Sequence, residues 1–573
     1  MQSLTRVVVP MALAAALLSP AVRAEEARVH HVLLISVDGL HQRDLARFIA
    51  DHPASALSRL SRSGVTWDDA RATTPSDSFP GLLALVTGGT PKSTGVYYDD
   101  SYDRTLYPPG SNCQGAAGSE IVYDESDDFD MDRLFSGGIN PKNLPLQKDA
   151  SGCHPLYPHS FLRVNTIFEV AKAAGLRTAW SDKHPSYDLV NGPSGNGVDD
   201  LYTPEINSLI VNGGVVNGVD LTATQARCDG SNSLPVGNVS VYTDCIPAQE
   251  AYDDVKVEAI INLINGKHSD GSRWARDGSG EGEEDDQAAP AIFGMNFQAV
   301  SVGQKLPVGG YADAEGTPSA NLADALAHTD HSIGRFVEAL ERRHLLGSTA
   351  IVVSAKHGQS PMDFSKLAME GGGHAPVQSV RDPIDFVNNA DPNVDSVVFT
   401  NNDTTGPTKG HAYATAGHLQ TDDVGLLWLQ DQSEKNRSAV VAQLRGNSRA
   451  LFADKLPDDV LFSENIVSGR AIAAIFGDGP LAADRAPDVF IQPNAGVIYS
   501  GSKKKIAEHG GGAPDDTHVA LLISVAGVEE RHVAAPVETT QVAPTILRAL
   551  GLDPRELQAV REEHTKLLTG APF

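Results

Sequence analysis

Residues His30–Gly39, "HHVLLISVDG", form a continuous apolar run of strand length that ends in a carboxylate, Asp38, and a glycine. A strand covered on one face alternates apolar and polar residues. One covered on both faces is apolar throughout, as in a parallel sheet flanked by helices. Similar runs recur at residues 291–300 ("AIFGMNFQAV"), 349–358 ("TAIVVSAKHG"), 488–493 ("DVFIQP") and 518–527 ("HVALLISVAG"). Between them lie segments of helical period: "NTIFEVAKAAG" from Asn165, "NLADALAHTDHSIGRFVEALERR" from Asn321 and "TTQVAPTILRALG" from Thr539. Strands alternating with helices predict an α/β fold built on a doubly wound, largely parallel sheet. Residues 97–160 and 193–248, rich in Gly, Pro, Asp and Asn, read as large loop-rich insertions, and residues 277–287 as a solvated acidic loop.

A chain of 573 residues with 41% hydrophobic content can bury a large core. Its formal charge of −28 leaves no cationic excess to neutralise a nucleic-acid backbone, so no nucleic-acid-binding surface is expected. At the N-terminus Arg6 precedes an apolar run, Val7 to Leu18, followed by Val22-Arg23-Ala24. This pattern predicts a secretory signal peptide at 1–24, a mature domain at 25–573 and a periplasmic or secreted location. No run reaches the length of a membrane anchor. Four cysteines suit an oxidising compartment, and sequence proximity favours Cys113–Cys153 and Cys228–Cys245 among the three possible connectivities.

In open α/β sheets the chemistry gathers beyond the carboxyl ends of the strands. Asp38 stands at one such end, and Lys356-His357-Gly358 at another. Ser78, in "TTPSDSFPGLLALVTGG" (residues 73–89), opens a helical run, and His509 precedes the strand at 518–527. Each has an ordinary alternative: serine caps helices, aspartate forms turns, and histidine beside glycine is common in loops. Together, at strand ends, they suit phosphoryl or sulfuryl transfer by an activated hydroxyl. "SDKHPSYD" (residues 181–188) ends another strand-like run, where Lys183 and His184 could add a cation and a proton donor or merely form a surface turn.

The segments "LLISVDGL", "TTPSDSFPGLLALVTGGTPKSTGVYYDD", "VVSAKHGQS", "AEHGGGAPDDTHVALLIS" and "ETTQVAPTILRALGL" resemble the alkaline phosphatase superfamily. Within it the resemblance is to the type I phosphodiesterase/nucleotide pyrophosphatase branch, from about Val32 to Leu552. The resemblance implies Ser78 as covalent nucleophile and Asp38, Ser78, His357 and His509 as metal ligands. Two-metal members carry Asp where this chain has Lys356, an Asp-x-x-x-His pair where it has Val300 and Gln304, and Asn where it has Gly81. The expectation is therefore one divalent ion, Zn²⁺ ahead of Mn²⁺, Mg²⁺ or Ca²⁺, with Lys356 replacing a second. The implied activity is metal-dependent hydrolysis of a phosphodiester or pyrophosphate bond in a small phosphate-ester substrate, through phosphoryl-Ser78. The alternatives are a sulfatase or phosphonate hydrolase, against which "SFPGL" lacks the sulfatase arginine, and an inactive member that only binds a phosphate-containing ligand.

Overall fold

The central sheet has eight strands: β1 (His31–Val37), β2 (Gly64–Trp67), β3 (Ala179–Ser181), β4 (Asp200–Tyr202), β5 (Ile292–Phe297), β6 (Thr349–Ser354), β7 (Leu521–Ser524) and β8 (Arg531–Val533). Their order across the sheet is β8-β2-β7-β6-β1-β5-β3-β4. The computed structural model describes residues 29–123, 127–274, 289–313, 315–362, 369–370, 373–374, 418–429, 431–450, 466–493, 495–496, 498 and 505–573. The expected signal peptide and the acidic loop at 277–287 lie outside the described residues.

β1 runs parallel to β5 and β6, and β3 continues the parallel series from β5 to β4. β7 is antiparallel to both neighbours, β2 and β6. The 518–527 run thus joins the sheet as expected but reversed, because an apolar run records burial on both faces and not strand direction.

Alternation along β1 feeds two cores. Val32 and Leu34 pack with α1 (Ser78–Thr87) and α5 (Val542–Ala549). Leu33, Ile35 and Val37 pack with α2 (Ile246–Ile264), α3 (Ala299–Lys305) and α4 (Ala320–Arg342). Burial of each such side chain contributes about 1.5–3 kcal/mol, so β1 is firmly placed and with it the position of Asp38.

The 488–493 run departs from expectation. Val489–Ile491 belongs to a separate four-stranded antiparallel sheet with His418–Thr421, Gly425–Trp428 and Ile466–Ser468. It is apolar throughout for the same reason as the central strands: Val489 and Ile491 face one core and Phe490 another. The predicted insertions hold short hairpins, such as Asp100–Asp103 with Ser119–Val122, and short 3-10 turns.

Both expected disulfides form, Cys113–Cys153 and Cys228–Cys245. The second closes a loop of separation 17 against α2, where both sulfurs lie in an apolar cluster with Tyr242 and Tyr252. Replacing Cys228 and Cys245 by Ala should cost about 3 kcal/mol of stability by releasing loop entropy in the unfolded chain. Denaturant unfolding checks this, and an unchanged midpoint would contradict it.

Candidate active site

The carboxyl ends of β1, β3 and β6 converge on the first turn of α1. β1 delivers Asp38, β3 delivers Asp182 and Lys183, and β6 delivers Lys356 and His357. At their meeting point, Ser78 Oγ lies 3.1 Å from Lys183 Nζ and 3.3 Å from His357 Nε2. Asp38 Oδ2 lies 3.6 Å from Lys183 Nζ and 3.7 Å from His357 Nε2.

Ser78 is not the cap of its helix. Asp77 holds that position and accepts hydrogen bonds from the backbone N–H groups of Phe79, at 3.2 Å, and Asp99, at 3.0 Å. The aspartate satisfies the helix end, so the serine hydroxyl in the first turn is left to chemistry, beside the positive end of the helix dipole. α1 can approach β6 this closely because residue 81 is glycine. A Cβ there would stand 2.1 Å from the Lys356 carbonyl oxygen.

His357 Nδ1–H donates to the Gly358 carbonyl at 2.7 Å, which turns the Nε2 lone pair toward Ser78. The His509 ring stacks on His357 with centroids 3.7 Å apart, and its Nε2 points to Asp77 Oδ1 at 3.6 Å. Burial, and then the opposing pull of Asp38, leave the His357 imidazole below its ordinary pKa. Burial, with His357 and Lys305, holds His509 well below its own. Both rings are neutral near pH 7.

Charge around Ser78 is set by two lysines. Burial opposes ionisation of Asp38, but Lys356, then His357 and Lys183, hold its carboxyl well below the usual carboxylate range. Burial likewise disfavours the Lys183 ammonium, yet Asp38 and Asp182 keep its pKa above the ordinary lysine value. Lys356 Nζ bonds Asp182 Oδ1 and Tyr187 OH, each at 2.9 Å, and sits 4.2 Å from the Tyr187 ring centroid. The Lys356 side chain is fully buried, while Lys183 keeps 15% of its side chain exposed, so Lys183 is the lysine a ligand can reach.

The other expected residues go elsewhere. His184 Nδ1 bonds Glu205 Oε2 at 2.9 Å and is buried, so the proton-donor reading is not what this geometry favours. Val300 sits in the α3 core, and Gln304 Nε2 donates to the Gly39 carbonyl and to Tyr311 OH, both at 2.9 Å. Near His509, Asp516 Oδ1 accepts from Ser360 Oγ at 2.8 Å and His518 Nε2 bonds the Asp68 carbonyl at 2.9 Å, so neither is turned to the cluster. Sequence reasoning missed Asp77 as the cap, Tyr187, and the amides of Asn296 and Gln298, which donate to Asp38 Oδ2 at 3.2 and 2.5 Å. Tyr187 lies inside the "SDKHPSYD" stretch already singled out.

The model of the type I phosphodiesterase / nucleotide pyrophosphatase family matches residues 32–179 and 310–513, more than half of the chain. The chain belongs to this family. It is a phosphodiesterase/pyrophosphatase-type hydrolase on the alkaline phosphatase fold. No curated protein matches it. Among solved structures it is similar in fold to murine ectonucleotide pyrophosphatase / phosphodiesterase 5, at 12% identity and TM-score 0.50, with 91% of this chain and 96% of that one covered. It is also similar to wild-type alkaline phosphatase PafA, at 13% identity and TM-score 0.55, with 95% and 99% covered.

The two-metal ligand set of this phosphodiesterase family does not fit the residues present. Val300 and Gln304 supply no ligand for one ion, and Lys356 replaces a carboxylate of the other. What remains is Asp38, Ser78, His357 and His509, with an ammonium, Lys183 Nζ, inside the same cluster. Asp38 Oδ2 is already claimed by two amides, which leaves Oδ1, an acceptor without a hydrogen bond, as its only open donor to a cation. Among the described residues no group of three or more His, Cys, Asp or Glu is placed to hold a metal.

Behind His509 a carboxyl pair, Asp423 and Asp516, is buried. Burial, and then Asp516, raise Asp423 well above the carboxylate range, and burial pushes Asp516 up to about 6. An acid with a raised folded pKa binds its proton more tightly folded than unfolded. Its contribution to stability is therefore complete below about pH 4, the unfolded value, and is lost as pH rises through the folded one. Asp423→Asn keeps a donor that cannot ionise. Its melting temperature should gain on that of the native chain as pH rises above about 4. Parallel melting profiles would show that the pair does not share a proton.

Proposed function

We propose that the chain, with its signal peptide at 1–24 removed, is an exported single-domain hydrolase. It cleaves a phosphodiester or pyrophosphate bond in a small phosphate ester through a phosphoryl-Ser78 intermediate. The supporting observation is the placement of Ser78 Oγ, free of capping duty and within 3.1 Å of Lys183 Nζ and 3.3 Å of His357 Nε2. Ser78 attacks phosphorus, the partly exposed Lys183 holds a non-bridging oxygen, and α1's first turn faces the developing negative charge. The two disulfides fit an oxidising extracytoplasmic setting, and no helix among the described residues is long and apolar enough to cross a membrane. The divalent ion, Zn²⁺ foremost, expected on Asp38, Ser78, His357 and His509 does not fit the donors present.

The test is hydrolysis of bis(p-nitrophenyl) phosphate by the mature protein beside Ser78→Ala, with detection of phosphoserine at position 78. Turnover retained by the variant would refute the serine intermediate. Tight binding of a phosphate ester without turnover would favour the non-catalytic reading instead.

A further inference from the structure

We propose that Lys183 and Lys356 stand in for this family's two divalent ions, so that Ser78 is activated by His357 as proton acceptor in a site that binds no metal. The inference rests on the hydrolase reading above for its reaction, and on geometry for its substance.

A metal in such a site has two duties: it lowers the cost of exposing a serine oxyanion, and it attracts the phosphoryl oxygens. Lys183 can perform both. Its Nζ donates to Ser78 Oγ at 3.1 Å and retains an exposed face toward an incoming anion. Lys356 performs the background part. Fully buried, it is fixed by Asp182 Oδ1 and Tyr187 OH, each at 2.9 Å. A divalent ion added to that cluster would face the Lys183 and Lys356 ammonium groups, two like charges, at close range. At the positions of the family's Asp-x-x-x-His ligand pair, Val300 lies in the core and Gln304 is tied to Gly39 and Tyr311.

The proton needs an acceptor once no metal acidifies the hydroxyl. His357 Nε2, 3.3 Å from Oγ, carries the lone pair because Nδ1–H is engaged by the Gly358 carbonyl. The Ser78 proton passes to His357 Nε2 as the Oγ–P bond forms and the bond from phosphorus to the leaving oxygen breaks. That oxygen keeps the bonding pair and takes a proton from water. The hydroxide so formed attacks phosphoryl-Ser78, the Oγ–P bond breaks, and His357 returns its proton to Oγ. The sum is one ester bond hydrolysed by one water, with the enzyme restored.

The deciding experiment measures metal content and turnover of the same full mature chain. After chelation and dialysis, elemental analysis should find well under one Zn, Mn, Mg or Ca per chain. Calorimetric titration with Zn²⁺ should show no site occupied at one ion per chain, and hydrolysis of bis(p-nitrophenyl) phosphate should be unchanged. One tightly held ion per chain, or turnover that vanishes with chelator and returns with Zn²⁺, overturns this inference and leaves the hydrolase reading intact. No turnover under any condition overturns the hydrolase reading, and the ion count alone then judges whether lysines replace metals. As a converse, Lys356→Asp combined with Val300→Asp and Gln304→His restores the family's ligand types and should gain Zn²⁺ binding. A folded variant that still binds none would overturn the assignment of Lys356 to an ion's place.

Discussion

Ser78→Ala lowers kcat/KM for bis(p-nitrophenyl) phosphate by at least about 10³-fold, equivalent to about 4 kcal/mol of transition-state stabilisation. No second hydroxyl is presented to the same cluster by α1's first turn, so nothing inherits the covalent step. What survives in the variant is only what Lys183 and the helix terminus contribute by holding the ester for attack by water. Its unfolding free energy stays within about 1 kcal/mol of the native value, because the capping hydrogen bonds belong to Asp77. This pairing of a large kinetic loss with a small thermal one separates nucleophile from cap. If the serine were a structural cap, stability would fall while any turnover persisted.

Lys183→Ala lowers kcat/KM by about 10²- to 10³-fold, the scale seen when one preorganised donor to a developing oxyanion is removed. Lys183 is the partly exposed cation of the cluster and lies 3.1 Å from the attacking oxygen. The loss should appear mainly in kcat, since the ammonium meets most negative charge once the oxyanion has formed. Lys183→Arg restores charge without the same point geometry and should recover only part of the rate. A Lys183→Ala enzyme within twofold of native would show that the lysine serves Asp38 alone.

Much of this was legible in the residues. The strand at His31–Val37, the helix at Ser78–Thr87 and the disulfide pairs were all expected. So was the meeting of Asp38, Ser78, His357 and His509, since strand ends in one sheet share an edge, whereas Lys183 was open between a site cation and a surface turn. Less was legible wherever a residue's partner lies far along the chain. His184 and Lys183 are adjacent in sequence, yet in the bend that follows β3 one turns to Glu205 and the other to Ser78. Strand direction in β7 and the sheet to which Val489–Ile491 belongs were hidden for a related reason: apolarity reports burial and not the identity of the neighbour.

The sequence by itself determined the α/β layering, the strand that carries Asp38, the serine at a helix start and the loss of ligand types at Lys356, Val300 and Gln304. Those depend on side-chain chemistry and short-range period, which one dimension records. Only the tertiary structure decided that Asp77 caps the helix in place of Ser78 and that Gly81 lets α1 lie against the Lys356 backbone. It also decided that two lysines from different strands face the carboxylates Asp38 and Asp182. Electrostatic balance in a buried site depends on distances of a few ångströms between groups more than a hundred residues apart, and folding sets those distances.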